Sequence, residues 1–286
     1  MKYRHLHHAG NFADVHKHVT LLALLATLKR KDKGFLYLET HAGRGAYDLS
    51  GPAGEAASGF GRLEAQFPAG VAAQTVAEEI RRYSSQVELL RRERGEPRLY
   101  PGSPLLAASE LRPADRAVFI EQLPAEARAL EKALHHSGVT EQRFRVETGD
   151  GFDRLRAWLP PNERRGLTLI DPPYEESRQD FERARQAAAE ALRRFHTGVV
   201  AVWYPIKDER DTADWHAGLV GALDCPLLAA ELSLYPRDSR VALNGSGMVI
   251  LNPPYQLAER MEVWLPQLHT CLDLGHGGGT SVRRLK

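Results

Sequence analysis

The chain has 286 residues, 43% of them hydrophobic and 26% charged, and its 38 basic and 37 acidic side chains give a net charge of +1. This size allows one large α/β domain or two small ones, and the charge excludes a surface coated uniformly with basic residues. No apolar run approaches the roughly 18 residues of a membrane span, and the basic, histidine-containing N-terminus lacks the apolar stretch of a signal peptide. We therefore expect a cytoplasmic protein.

The first predicted elements are a helix and a strand. Residues 11–31 carry apolar side chains at helical spacing, and Asn11 suits the N-cap position of that helix. An apolar strand over 35–39 follows and ends in the turn Thr40-His-Ala-Gly-Arg-Gly45. Glycines allow a backbone to approach a ligand closely, although such turns also serve as plain connections. The turn lacks the glycine spacing of a dinucleotide site, which favours a bulky ligand without a phosphate cradle.

Residues 49–98 change in character, becoming rich in Gly, Ala, Glu and Arg. Within them, residues 75–94 have an apolar face at helical spacing, which predicts an amphipathic helix. We interpret 49–98 as a helical insertion subdomain within a single domain that spans residues 1–286.

After the insertion, helices and strands alternate. Ser103 is predicted to cap a helix that has Pro104 at its first position. The other predicted elements, in chain order, are strand 117–120, helix 125–136, strand 144–147, short helix 152–159, strand 167–170, helix 181–195, strand 198–203, strand 227–234 and strand 248–251. Strands that alternate with helices predict a doubly wound α/β sheet.

Two acidic residues lie at the ends of successive strands. Glu121 follows strand 117–120, where a carboxylate can accept hydrogen bonds from both hydroxyls of a ribose. Asp150 follows strand 144–147 and can accept one from the amino group of an adenine. Each acid alone is also typical of a turn or a helix cap. Because the glycine turn and the two acids each follow one of three successive strands, together they favour a nucleoside ligand at the carboxyl edge of the sheet.

The most informative segment is Asp171-Pro-Pro-Tyr174, which directly follows the apolar strand 167–170. Two consecutive prolines lack N–H donors and fix φ, so neither a helix nor a sheet ladder continues through them. The segment therefore predicts a stiff hook at the carboxyl edge of the sheet. Asp171 and the carbonyl of Pro172 can accept the two N–H bonds of a planar amino group, and Tyr174 can stack on its ring.

A second hook, Asn252-Pro-Pro-Tyr255, follows the last predicted strand. If that strand is antiparallel to the rest, its end lies at the opposite edge of the sheet from Asp171. We therefore assign catalysis to Asp171 and expect Asn252 to be dispensable.

The four strand-end motifs together resemble the class I S-adenosylmethionine-dependent methyltransferases, in the branch that methylates exocyclic amino groups. Three longer strings, at residues 3–18, 35–45 and 100–104, resemble the J-type family of bacterial 23S ribosomal RNA adenine-N6 methyltransferases. This resemblance covers nearly the whole chain. It implies a Rossmann-like fold with a mostly parallel sheet of seven strands, S-adenosylmethionine as methyl donor, and an adenine of 23S ribosomal RNA as substrate.

The resemblance also implies roles for single residues. The positions that match cofactor contacts are His18, His41, Ser103, Glu121, Asp150 and Gly151. Asp171 matches the catalytic position and Tyr3 one involved with the RNA. To these we add Pro172 and Tyr174 from the chemistry of the hook, and Arg4 and Lys17 as part of a limited basic patch, with arginines of the insertion. The chain departs from the family pattern at Phe12 and His16, which match no functional position.

Three other functions remain open on the sequence. They are a DNA adenine methyltransferase, a protein glutamine methyltransferase and a catalytically silent RNA-binding module. No metal is expected, because Cys225 and Cys271 are far apart and lack metal-site spacing. We also expect no membrane contact, no obligate protein partner and a monomeric enzyme.

Overall fold

The computed structural model describes residues 8–49, 55–66, 76–136, 140–175, 177–236, 239, 241 and 243–286. In that part the helices are α1 (Phe12–Lys29), α2 (Phe60–Gln66), α3 (Glu78–Arg94), α4 (Ser103–Ser109), α5 (Pro124–His135), α6 (Gly151–Arg154), α7 (Ser177–Arg194), α8 (Glu209–Ala222) and α9 (Leu257–Leu272). The strands are β1 (Leu36–Glu39), β2 (Ala46–Asp48), β3 (Leu99–Pro101), β4 (Arg116–Glu121), β5 (Phe144–Thr148), β6 (Gly166–Ile170), β7 (Val199–Ile206), β8 (Leu227–Ser233), β9 (Gly245–Leu251) and β10 (Gly279–Arg284). Short 3₁₀ helices span Glu55–Ser58, Glu141–Arg143 and Leu155–Ala157.

The described strands form an eight-stranded sheet in the order β10-β8-β9-β7-β6-β1-β4-β5 and a two-stranded sheet of β2 and β3. Strands β5, β4, β1, β6 and β7 are parallel to one another, while β9 is antiparallel to both of its neighbours. This arrangement confirms the predicted Rossmann-like, mostly parallel sheet. It has one strand more than the seven expected, the half-exposed edge strand β10, which pairs antiparallel with β8.

Helix α1 packs against one face of the sheet and begins as the sequence predicts. The side-chain oxygen of Asn11 accepts a hydrogen bond from the backbone N–H of Asp14 at 2.9 Å, which satisfies a free donor of the first turn. The helix is buried on all sides from Phe12 to Leu25, including Asp14 and Lys17. Charged residues are seldom buried unless they are paired, so their partners are of special interest.

The predicted insertion contains α2 and α3, and it lies between β2 and β3, which pair through Tyr47 and Tyr100. Its apolar side chains, Phe60 and Tyr83 among them, belong to the same hydrophobic cluster as α1. The helical content agrees with the prediction, and the treatment of 49–98 as a subdomain stays a prediction.

The parallel strands all end at one edge of the sheet, which we call the carboxyl edge. The ends of β5, β4, β1, β6 and β7 lie side by side there, in that order. Residues that immediately follow these strands are therefore brought together although they are far apart in sequence. Across the described residues, no helix has both the length and the apolar character that a membrane span requires.

Candidate active site

Asp171 lies directly beyond the end of β6, at the centre of the carboxyl edge. Its Oδ2 atom accepts a hydrogen bond from Lys17 Nζ at 2.6 Å, and the same ammonium donates to Asp14 Oδ1 at 2.8 Å. The Asp171 side chain is 12% exposed. Its other carboxylate oxygen makes no hydrogen bond to any residue that the structure describes. Asp171 thus combines one anchored oxygen with one that can accept a bond from a ligand.

The structure corrects the expected position of Lys17. We predicted that it belongs to a limited basic patch that binds RNA, but the residue is only 4% exposed and lies within α1. Burial alone would lower the pKa of Lys17, whereas the carboxylates of Asp14 and Asp171 raise it well above its usual range. Lys17 is therefore a buried cation that orients Asp171. Tyr3 and Arg4, the other residues predicted to contact RNA, lie outside the described residues.

Tyr174 ends the hook with a φ of +50°, a left-handed conformation that non-glycine residues seldom adopt. Its ring is 3% exposed and packs against Phe181 and Trp203, with ring centroids 4.7 and 5.6 Å away. Its hydroxyl donates a hydrogen bond to the carbonyl oxygen of Trp203 at 2.6 Å. The side chain thus supports the adjacent strand. Its stacking on a base, for which this placement leaves little free surface, stays a prediction.

The position of the second hook, Asn252-Pro-Pro-Tyr255, follows from the direction of β9. Because β9 is antiparallel to β7, Asn252 follows the end of β9 next to the beginning of β7. Its side-chain nitrogen donates to the carbonyl oxygens of His196 and Gly198 at 2.7 and 2.9 Å. The prediction that Asn252 lies at the edge opposite Asp171 is confirmed.

Glu121 connects the end of β4 with the glycine turn that follows β1. Its two carboxylate oxygens accept hydrogen bonds from the backbone N–H groups of Gly43 and Leu123, both at 2.8 Å. Gly43 has a φ of +63°, and a Cβ atom there would lie 2.6 Å from the hydroxyl of Tyr47. Each oxygen of a carboxylate can accept a second bond, so Glu121 can still receive the hydroxyls of a ribose.

Asp150 lies at the next strand end and caps the short helix α6. Burial alone would raise its pKa, but the pKa is lowered by Arg183, whose guanidinium lies 2.6 Å from Oδ2, and by the N–H groups of Phe152 and Asp153. Gly151 follows it, and a Cβ atom there would lie 1.8 Å from the carbonyl oxygen of Thr40. Gly151 is therefore required for the close approach of α6 to the end of β1.

The sequence predicted that Ser103 caps α4. In the structure Gly102 occupies the N-cap position, and Ser103 is the first residue of the helix. Its hydroxyl instead donates to Glu39 Oε1 at 2.5 Å, while Tyr37 donates to Glu39 Oε2 at 2.9 Å. Glu39 is fully buried, and burial raises its pKa to about 8. The tertiary partner at the end of β1 thus explains why the serine is displaced from the cap.

The two histidines among the predicted cofactor residues lie in different elements, His41 in the turn after β1 and His18 in α1. His41 follows the strand and bonds the hydroxyl of Thr40 at 2.7 Å, and burial lowers its pKa to about 4, so that the ring is neutral. His18 is buried in α1, where Nδ1 lies 3.0 Å from the hydroxyl of Tyr100.

The structure therefore brings most of the predicted cofactor residues to the carboxyl ends of neighbouring strands together with Asp171, whereas His18 lies within α1 against Tyr100. Sequence reasoning missed Glu39 and Trp203 at the same edge. The first could have been found as the last residue of β1, in line with the acids after β4 and β5. The second could have been found only from the register that pairs β6 with β7.

Comparisons with known proteins agree with this geometry. The family described as "Ribosomal RNA large subunit methyltransferase D, RlmJ" matches residues 32–284. The chain is 39% identical over 285 residues to a Haemophilus influenzae protein named ribosomal RNA large subunit methyltransferase J, covering 98% of this chain and 97% of that one. The Escherichia coli protein of the same name is 38% identical over 286 residues, covering 99% and 98%.

The chain belongs to this family. A crystal structure of a Legionella pneumophila protein is also similar, with a TM-score of 0.85 and 33% identity over 97% of this chain and 98% of that one. Membership makes the chain an enzyme, specifically a methyltransferase, and sets aside the catalytically silent binding module. Among the described residues there is no group of three or more His, Cys, Asp or Glu side chains that could hold a metal ion.

Proposed function

We propose that the protein transfers a methyl group from S-adenosylmethionine to N6 of an adenine in 23S ribosomal RNA. The observation that carries the proposal is Asp171, whose one oxygen is anchored by Lys17 and whose other oxygen can accept a bond. It lies at the centre of an edge where the neighbouring strands carry acids suited to a nucleoside. The ribosomal substrate is also the basis for proposing a cytoplasmic enzyme, and we propose in addition that it is a monomer.

The adenine amino group is a poor nucleophile because its lone pair is delocalised into the ring. The free oxygen of Asp171 and the carbonyl of Pro172 would accept its two N–H bonds, which favours a geometry that frees the lone pair. The new N–C bond forms as the methyl–sulfur bond breaks, and the amino group then loses one proton toward Asp171 or water. Positioning and electrostatics supply most of the rate enhancement in such a site.

Lys17 is proposed to keep the carboxylate of Asp171 fixed in direction during this step. A carboxylate that accepts an N–H bond from the substrate must not rotate away. The ammonium holds Oδ2 at 2.6 Å and is itself held by Asp14, so the free oxygen has a defined orientation. The target adenine must be unpaired or flipped out of a helix to reach this position.

The cofactor residues fit a ligand that offers hydroxyls and an amino group. Glu121 would accept hydrogen bonds from the ribose hydroxyls, and Asp150 would accept one from the adenine amino group. Both carboxylates already accept bonds from protein N–H groups, which orients them before the ligand arrives. When bound, S-adenosylmethionine supplies the electrophilic methyl group.

The experiment compares one alanine substitution in each of the two hooks. Asp171→Ala should lower methyl transfer to deproteinised 23S RNA by at least about a hundredfold, with calorimetric binding of S-adenosylmethionine unchanged. Asn252→Ala, at the opposite edge, should retain activity near that of the wild type. Equal activity of Asp171→Ala and wild type, both well folded, would contradict the assignment.

The substrate is tested with labelled methyl donor in parallel reactions. Transfer to 23S RNA followed by recovery of N6-methyladenine supports the proposal. Label on duplex DNA or on glutamine of a protein, with none on the RNA, would assign one of the competing methyltransferase functions instead.

A further inference from the structure

Asp150 is held at both of its carboxylate oxygens. Oδ1 accepts hydrogen bonds from the backbone N–H groups of Phe152 at 2.9 Å and Asp153 at 3.4 Å, which cap the start of α6. Oδ2 accepts one from the guanidinium of Arg183 at 2.6 Å. The first two donors are close neighbours in the chain, whereas Arg183 reaches Asp150 from α7, which makes it the tertiary partner of this carboxylate.

Arg183 also contacts the ring that follows Gly151. Its guanidinium carbon lies 4.4 Å from the centroid of the Phe152 ring, which is within the range of a cation–π contact. The same ring meets His41 edge to face, with the ring centroids 4.7 Å apart. Arg183 therefore reaches two of the residues expected to bind the cofactor, Asp150 directly and His41 through Phe152.

The position of Arg183 is set by α7, the helix that follows the catalytic hook. Two residues before it, Phe181 packs against Tyr174 of the hook and against Trp215 of α8, with ring centroids 4.7 and 5.2 Å away. The carbonyl oxygen of Phe181 also accepts a hydrogen bond from Trp215 Nε1 at 3.0 Å. Because these contacts fix this turn of α7, the guanidinium approaches Asp150 from a packed helix and not from a loop.

We propose that Arg183 is a positioning residue for the cofactor, which directs the carboxylate of Asp150 at the adenine amino group of S-adenosylmethionine. Each carboxylate oxygen can accept a second hydrogen bond, so the amino group would donate to a carboxylate whose rotation is already prevented. A side chain that is ordered before the ligand arrives loses less entropy on binding, which strengthens the complex. This inference rests on the proposed use of S-adenosylmethionine and adds to it a residue that acts through Asp150.

The test replaces Arg183 with methionine, which keeps the apolar stem and removes the charge and the donors. We expect the KM for S-adenosylmethionine and its calorimetric Kd to rise about five- to thirtyfold, because a hydrogen bond to a charged group is lost. The kcat at saturating cofactor should stay within about twofold of wild type, since the adenine is remote from the sulfonium methyl group. Arg183→Lys keeps the charge and a donor, and its Kd should stay within about threefold of wild type.

Arg185→Met is the matched control. Arg185 lies on the same helix, its side chain is 29% exposed against 38% for Arg183, and its Nε donates to Glu182 at 2.8 Å. Both partners of that pair lie within α7, whereas Arg183 joins α7 to the turn after β5. We expect the Kd and the kcat of Arg185→Met to stay within about twofold of wild type.

A double-variant cycle tests whether Arg183 acts through Asp150. In Asp150→Asn the side-chain oxygen can still cap α6, but the charge that pairs with the guanidinium is gone. If the two residues act as one unit, adding Arg183→Met to Asp150→Asn should raise the Kd by less than about a further twofold. A role of Arg183 in the general stability of α7 would instead leave the two effects additive.

Four outcomes would overturn the positioning role. They are an unchanged Kd in Arg183→Met, equal increases of the Kd in its methionine and lysine variants, an equal increase in Arg185→Met, and additive effects in the double variant. The second and the last would reduce Arg183 to a structural role. A wild-type enzyme that binds no S-adenosylmethionine would instead overturn the proposed function, so the two failures are distinguishable.

Discussion

Replacing Lys17 with methionine is the most severe test of the buried ion cluster. Nζ lies 2.8 Å from Asp14 Oδ1 and 2.6 Å from Asp171 Oδ2. Each contact contributes an attraction on the order of 6 kcal/mol at an effective dielectric constant of about 20. The loss of hydration of the three buried ions offsets much of this. Without the ammonium, two desolvated carboxylates would remain close together, so we expect Lys17→Met to lower the free energy of unfolding by about 3–5 kcal/mol.

The assay is urea unfolding at neutral pH, with Lys29→Met as the control. Lys29 also forms an ion pair at 2.6 Å, with Glu110, but its side chain is 26% exposed. Glu110 moreover keeps a second partner, Arg82. Lys29→Met should therefore lower the free energy of unfolding by less than about 1 kcal/mol. Because the pKa of Lys17 is raised above 10.5, its contribution is fully present below that pH and is lost only at higher pH.

A double variant separates loss of charge from loss of packing. In Asp14→Asn/Lys17→Met one of the two carboxylates that lose the ammonium is gone, while the asparagine oxygen can still accept the bond from the N–H of Gly10. We expect this variant to recover part of the stability that Lys17→Met loses. A cost for Lys17→Met no greater than that of Lys29→Met would refute the reasoning, as would a double variant less stable than the single one.

Two further predictions concern β1 and its neighbours. Gly151→Ala should destabilise the fold and weaken S-adenosylmethionine binding, because the added Cβ atom would lie 1.8 Å from the carbonyl oxygen of Thr40; calorimetry checks both, and an unchanged Tm and Kd would contradict it. Burial raises the pKa of Glu39 from 4.5 to about 8, so the folded chain retains a proton that the unfolded chain releases. Stability should therefore fall across this window by on the order of 1.4 kcal/mol per pH unit, and Glu39→Gln should remove that slope in urea unfolding at pH 5 and pH 8. Parallel slopes in the two proteins would refute the assignment to Glu39.

The sequence predicts the fold where pattern and local chemistry agree. All seven strands that the alternation predicted are present, and Asn11 caps α1 as expected. Strand β10 was missed because its sequence, with glycine at the start and two arginines at the end, has little apolar character and pairs only at the edge of the sheet. Helix α9 was missed as well, since Pro266 lies within it and proline ordinarily ends a helix.

The residues of the candidate site also divide into those that the sequence predicts and those that it does not. Strand-end residues such as Glu121 could be predicted, because parallel strands bring their ends to one edge whatever the loops do. The role of Lys17 could not, since a lysine at helical spacing gives no sign that two carboxylates, one of them 154 residues away, bury it. The position of Trp203 beside Asp171 likewise depends on the register between β6 and β7, which cannot be read from the sequence.

The two hooks show how far a motif can be trusted on its own. Asp171 and Asn252 both follow a buried strand, both precede two prolines and a tyrosine, and both hooks contain a residue with positive φ. Only strand direction separates them: β6 ends at the carboxyl edge beside α1, and β9 ends at the other edge, where the amide of Asn252 binds the carbonyl oxygens before β7. An aspartate at position 252 would present acceptors to these carbonyl oxygens and would repel them. These hydrogen bonds therefore explain why an asparagine occupies position 252, without any catalytic role for it.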